Sequence, residues 1–289
     1  MDNNILTMAG IQTGSGHDRG ANLERAIALG KIAAQRGAQV ICFPECFAWS
    51  WFPREIDSLH FAAAEPVPGP ISQAIAAFAR DCQVAVVAPI FERGSDAAYY
   101  NTALVFDADG SLLGRYRKNH VPQLSNYQER FYFRPGNQGF PVFRTRYATL
   151  GVQISWDNFF PEGSRLLALQ GAEVICAPTS ASIVASHAKW ERALVGSAVC
   201  NGVFVFRVNR VAGVDELPFY GKSFCADPNG DFIVEPSGGD EGIVLAEIDL
   251  RWVKTVRGIW PFLEERRPEI YAGLASQEVP PGTFLTSPA

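Results

Sequence analysis

Short runs of apolar, β-branched residues constrain this chain more than any other feature. Residues 39–43 (QVICF), 84–90 (VAVVAPI) and 173–178 (EVICAP) are apolar almost throughout, with no alternation of polar and apolar positions. A strand of that kind must be covered on both faces, so it belongs inside a layered molecule and not in a half-solvated hairpin. Further strands are predicted at 5–12, 148–154 and 203–209. Between them, residues 21–36 follow the helical period, with Leu23, Ala26, Ile27, Gly30 and Ala34 on one face and Gly37 closing the helix. Residues 70–81 open with Pro70 at a first helical position, and 161–170 and 186–200 also read as helices. Strands 101–106 and 112–116 flank the turn Asp107-Ala108-Asp109-Gly110, and a second hairpin straddles Asp227-Pro228-Asn229-Gly230.

Helix–strand alternation mixed with hairpins predicts an α/β layered fold. No internal repeat of fixed period is visible, and no linker is long enough to cut the chain. One domain is expected over residues 1–271, followed by an arm at 272–289 that ends in PPGTFLTSPA.

Composition narrows the function classes. The 289 residues are 47% hydrophobic with a net charge of −5, which excludes intrinsic disorder. A pI near 5.5 and the absence of any Lys/Arg run exclude a basic nucleic-acid-binding surface. No stretch of 18 apolar residues occurs, so no membrane-spanning helix is expected. The start, MDNNILTMAGIQTG, has neither the basic segment nor the apolar core of a secretory signal. The six cysteines (Cys42, Cys46, Cys82, Cys176, Cys200, Cys225) form no paired C-x-x-C motifs, and the four histidines are scattered. Neither a disulfide framework nor a zinc site is expected, and the chain reads as a reduced, cytoplasmic protein.

Three segments at strand ends carry chemistry. Phe43-Pro44-Glu45 follows QVIC and puts a carboxylate at the lip of a buried strand, where sites of open α/β sheets lie. Tyr116-Arg117-Lys118-Asn119-His120 ends the strand LLGRY. Gly151-Val152-Gln153-Ile154-Ser155-Trp156-Asp157 runs into Phe159-Phe160-Pro161-Glu162. That is strand, sharp turn and helix, the setting in which a nucleophile stands beside free backbone N–H groups. Each segment taken singly also has a structural reading: a solvated glutamate, a surface lysine, a helix-cap serine.

Taken together and in order, these segments resemble the nitrilase superfamily of carbon–nitrogen hydrolases, closest to its N-carbamoylputrescine amidase-like branch. The resemblance spans about residues 5–271. Further matches are Tyr99-Tyr100-Asn101-Thr102, the FYFRPGN run at 131–137, Tyr220-Gly221-Lys222-Ser223-Phe224, and Arg266-Arg267-Pro268 to Tyr271. The resemblance implies a four-layer α-β-β-α sandwich, a homodimer or higher homo-oligomer, and no cofactor or metal. It implies that Glu45 is the general base, Lys118 the lysine of the triad and residue 155 the nucleophile. Trp156 would offer an oxyanion N–H, and Glu129 would orient Lys118. Glu129 could instead form a structural ion pair with Arg130 or Arg134. Trp49, Phe52, Tyr127, Asp157 and Ser180 are expected around the substrate. The aromatic segment 46–52 can equally be packing beneath a loop. Arg54 and His187 are candidates to meet a substrate carboxylate, although surface roles suit both.

One departure matters. The family's nucleophilic cysteine position holds Ser155, and none of the six cysteines falls there. A thiol ionises near pH 8.5 or about there, whereas a hydroxyl is a far weaker acid and needs stronger activation. Either a cysteine has been replaced, or the serine is native and the protein is a slow hydrolase or a non-catalytic binder. Trp156-Asp157 resembles the amidase and N-carbamoyl-amine branch more than the nitrilases. The expected substrate is a small linear amide or ureido compound, with a nitrile as the alternative.

Overall fold

The computed structural model describes residues 4–214 and 217–275. The first half runs β1 (Ile5–Gln12), α1 (Arg19–Gln35), β2 (Val40–Cys42), α2 (Pro70–Cys82), β3 (Ala85–Arg93), β4 (Tyr99–Phe106), β5 (Leu112–Arg117) and the short α3 (Glu129–Tyr132). The second runs β6 (Val142–Arg144), β7 (Thr149–Val152), α4 (Pro161–Leu169), β8 (Val174–Thr179), α5 (His187–Asn201), β9 (Phe204–Asn209), β10 (Phe224–Ala226) and β11 (Phe232–Val234). β12 (Gly242–Asp249) and α6 (Arg251–Ile259) close it.

Among the described residues these strands form two six-stranded sheets, ordered β12-β1-β2-β3-β4-β5 and β11-β10-β9-β8-β7-β6. Met8, Val40, Cys42, Val87 and Val105 of the first sheet meet Leu150, Val174, Cys176, Phe206 and Val208 of the second in one buried cluster. Ile71, Ile75 and Phe78 of α2, with Ala26 and Ala33 of α1, cover the outer face of the first sheet. Leu167 of α4 and Leu194 of α5 cover the second. The layers are therefore α-β-β-α, as expected. The uninterrupted apolar runs follow from this: each central strand buries one side against the other sheet and one against helices, each large side chain contributing roughly 1.5–3 kcal/mol.

Local differences have local causes. α1 begins at Arg19, two residues before the predicted start, because the Asp18 side chain accepts from Ala21 N and caps it. Its buried face is Asn22, Ala26, Gly30 and Ala33, rotated from the predicted stripe. Asn22 is held inward by hydrogen bonds to the carbonyls of Gly16 and Ala48. Gly30 lets the Phe78 ring of α2 come within 2.7 Å of where a Cβ would stand. Both predicted hairpins form, β4–β5 and β10–β11. β12 and α6 have no counterpart in the predicted elements, and the predicted arm beyond residue 275 lies outside the described residues.

The structure also shows a repetition that the sequence, lacking a fixed period, does not announce. Read from β12 to β5 and from β6 to β11, both sheets pair antiparallel, parallel, parallel, antiparallel, antiparallel. The β2 segment Gly37-Ala38-Gln39-Val40-Ile41-Cys42-Phe43-Pro44 matches the β8 segment Gly171-Ala172-Glu173-Val174-Ile175-Cys176-Ala177-Pro178. Glu45 follows β2, while Ser155 and Ser180 follow β7 and β8, so the carboxyl ends of parallel strands from both halves supply the site.

Candidate active site

Three residues beyond β2, Glu45 is fully buried. Its Oε1 accepts from Asn101 Nδ2 at 2.7 Å and from Lys118 Nζ at 2.8 Å. Oε2 is buried and has no hydrogen-bond partner among the described residues. The Glu45 carbonyl accepts from Ser180 Oγ at 3.2 Å. Arg210, at the end of β9, donates to the carbonyls of Cys46 and Trp49 at 3.2 and 2.9 Å. The loop bearing the carboxylate is thereby pinned by the second sheet.

Lys118 is the first residue after β5, and its N–H still reaches Asn101 O at 2.9 Å. The loop at Gly136 closes over this strand end. A Cβ there would lie 2.2 Å from Arg117 O, so only glycine permits the approach. Lys118 Nζ also donates to Glu129 Oε2 at 2.6 Å, which places one ammonium between two buried carboxylates. Burial disfavours its charge, but Glu129 and Glu45 outweigh that and push the Lys118 pKa up. Burial, with Glu45 adding to it, raises the Glu129 carboxyl against the pull of Lys118. Glu129 thus pairs with Lys118, and among the described residues no ion pair joins it to Arg130, whose Nε donates to Val121 O, or to Arg134.

Ser155 stands where β7 gives way to a 3₁₀ turn, residues 155–159. Its φ of 48° lies in the left-handed region, a strained position for a serine. Asn158 Nδ2 donates to Ser155 O at 2.8 Å and to Gln153 O at 3.1 Å, holding the turn. The neighbouring Asp157 is fully buried. It accepts from Tyr116 Oη at 2.7 Å and from His120 N at 2.8 Å, with His120 Nδ1 at 2.7 Å. Its carboxylate thus ties the Ser155 turn to the Lys118 segment.

Ser155 and Glu129 open onto one cavity of about 380 Å³, in the size range of a small-molecule site. Lys118 is joined to that wall by its hydrogen bond to Glu129, and the Glu45 carboxylate is joined to it in turn through Lys118. Trp156, Tyr127 and Ser180 line it as expected, and Ser182, Phe159, Lys189 and Trp190 line it unexpectedly. Tyr127 Oη donates to Ser180 O and accepts from Ser182 N, so it braces the wall. Burial raises its pKa to about 12, against the Ser182 hydrogen bonds.

Three of the expected contacts are not on that wall. Phe52 stacks on Phe91 at 4.8 Å and meets Tyr132 edge-on. Trp49 is buried with its Nε1 donating to Ala63 O. Both belong to core packing beneath the loop, the alternative reading of this aromatic segment. Asp157 points into the strand-end network and does not line the cavity. Nor do Arg54 and His187 line the cavity; Lys189, two positions past His187, does. Asn101 was legible in the Tyr99–Thr102 motif, though not its bond to Glu45. Lys189 and Trp190 had no signal beyond the start of a predicted helix. Among the described residues no group of three or more His, Cys, Asp or Glu could hold a metal ion, and no helix is long and apolar enough to cross a membrane.

A four-layer α-β-β-α fold with an acid, an amine and a turn hydroxyl at its strand ends is the arrangement that the resemblance to carbon–nitrogen hydrolases implies. The chain belongs to the carbon–nitrogen hydrolase family, whose model matches residues 7–257. It is 36% identical over 284 residues to an N-carbamoylputrescine amidase of Solanum lycopersicum, covering 93% of this chain and 94% of that protein. A citrullinase of Francisella tularensis is 36% identical over 250 residues, covering 83% and 87%. The crystal structure of a carbon–nitrogen hydrolase from Helicobacter pylori superposes with a TM-score of 0.88 at 29% identity, covering 95% of this chain and 99% of that one.

Proposed function

We propose that this site cleaves the C–N bond of a small linear amide or N-carbamoyl amine through an acyl-enzyme on residue 155. Glu45 carries the reading: one oxygen is fixed by Lys118 and Asn101 while the other is unpartnered. Such a carboxylate takes the proton of the nucleophile through its free oxygen and returns it to the departing nitrogen. The nucleophile bonds to the carbonyl carbon, and the oxygen of that carbonyl gains negative charge beside the Lys118 ammonium and the Trp156 N–H. Collapse breaks the C–N bond and releases ammonia. Water, deprotonated by Glu45, then bonds to the acyl carbon and frees residue 155. The Solanum and Francisella relatives, named for ureido substrates, favour that class over a nitrile.

With a hydroxyl at 155, deprotonation is the weak step, so this chain should bind substrate and turn it over very slowly. Ammonia release from a panel of amides, N-carbamoyl amines and nitriles tests this on the chain and on Ser155→Cys. The substitution should raise the rate by orders of magnitude. Fast turnover by the unaltered chain would refute the activation argument, and ammonia from neither form would favour a binding protein. We place the enzyme in the cytoplasm, as one domain over residues 1–271 that assembles into a homodimer or larger oligomer.

A further inference from the structure

We infer that the substrate carries an anionic group at the end remote from the scissile bond, and that Lys189 selects for it. This rests on the hydrolase reading above and adds to it the charge of the distal end.

The cavity has three zones. Its inner end holds Ser155 and Glu129. Its flank is aromatic: Trp156 meets Phe159 at 5.4 Å, and Phe159 meets Trp190 at 4.5 Å between ring centroids. Lys189 lines the same cavity yet is solvent-exposed, and so stands at the mouth. A reacting group within, a short methylene chain against the rings and a charge at the mouth describe one linear molecule.

The sign of that charge follows from what is already paired. Among the described residues Glu129 and Lys189 are the charged side chains on the wall. Glu129 is committed to Lys118 at 2.6 Å. A distal ammonium would therefore meet no free carboxylate of the described wall, and would face Lys189 with like charge. No ion pair joins Lys189 to another described residue. Along the chain its neighbours three and four positions away are Ala185, Ser186, Arg192 and Ala193, so no acidic helical partner neutralises it. A carboxylate-ended chain finds the cation uncommitted.

Three ureas of nearly equal length test this: N-carbamoyl-4-aminobutyrate, butylurea and 4-aminobutylurea, anionic, neutral and cationic. Ammonia release by the Ser155→Cys form at low salt gives kcat/KM for each, and calorimetry on the unaltered chain gives binding. The anionic urea should exceed the cationic one by about tenfold, since attraction of one and repulsion of the other both count even at an exposed lysine. Lys189→Glu should invert that ratio. Equal or better use of the cationic urea, or a ratio that Lys189→Glu leaves unmoved, overturns the inference. Butylurea hydrolysis without a charge preference defeats only this inference. If no compound in either set releases ammonia, the hydrolase reading fails, and the binding ratio still decides the sign.

Discussion

At the scale of single residues, Lys118 decides most. Its ammonium has a carboxylate oxygen at 2.6 Å and another at 2.8 Å, and all three side chains are buried. With its pKa pushed up, it stays protonated through the neutral range, as the proposed mechanism requires of a fixed cation beside the Glu45 base. In a Ser155→Cys background, Lys118→Ala should lower kcat by about 10²–10³, the usual consequence of losing one oxyanion donor. It should also destabilise the fold by about 3–5 kcal/mol, because Glu45 and Glu129 then face each other without a cation. Thermal melting and single-turnover rates taken well below the melting point separate the two effects. A folded double variant with full turnover removes the lysine from the chemistry. Glu45, Lys118 and Ser155 were legible as candidates because each sits in a short contiguous motif directly after a strand. Trp49 and Phe52 were not, since an aromatic run has the same composition whether it lines a pocket or fills a core. Lys189 was missed because a lone lysine at a helix start carries no pattern at all.

At the scale of elements, the geometry depends on how two strand ends from different sheets are held together. The Ser155 turn follows β7, and the Lys118 segment follows β5, in the other sheet. Asp157 links them through Tyr116, the His120 N–H and the His120 ring, and His120 in turn stacks on Phe160 at 3.6 Å. Asp157→Ala would leave a buried phenol and a backbone N–H without acceptors, at about 1–3 kcal/mol for each unsatisfied group. Stability should fall by about 3 kcal/mol. In the Ser155→Cys background kcat should fall by at least tenfold with a smaller change in KM, because Asp157 does not line the cavity. A change confined to KM would mean that Asp157 touches substrate after all. This link was invisible in the sequence: the W-D pair was legible as a motif, but only the fold places Asp157 beside residues 37 and 41 positions away. β12 and α6 escaped for a related reason. β12 is partly buried along its length, a mixed pattern that signals a strand weakly until β1 is there to pair with it.

At the scale of the whole molecule, two topologically equivalent halves meet at the site, and the halves need not be equally stable. The first half carries a buried ionic cluster on three adjacent strands. Arg117 grips Glu92 bidentately, Nη2 to Oε1 at 2.7 Å and Nε to Oε2 at 2.9 Å. Thr102 Oγ1 donates to the same carboxylate at 2.6 Å, and Arg115, two residues before Arg117 on β5, joins it. Arg117 precedes Lys118, so this cluster also fixes the strand end that carries the Lys118 ammonium. Burial works against the Glu92 charge, but the Arg117 and Thr102 hydrogen bonds and the two guanidinium charges prevail and hold its pKa below the ordinary 4.5. A carboxyl with a lowered folded pKa contributes stability that is complete above the unfolded value and lost as pH falls through the folded one. Glu92→Gln breaks a buried pair and should cost about 3 kcal/mol at pH 7, or roughly 5 °C in Tm for a chain of this size. The difference from the parent should be widest above about pH 5 and should narrow below pH 4, where the parent's own carboxylate takes up its proton. Melting curves of both proteins between pH 3 and pH 7 decide the matter: a gap that stays constant over that range would show that Glu92 stabilises this half by shape and not by charge.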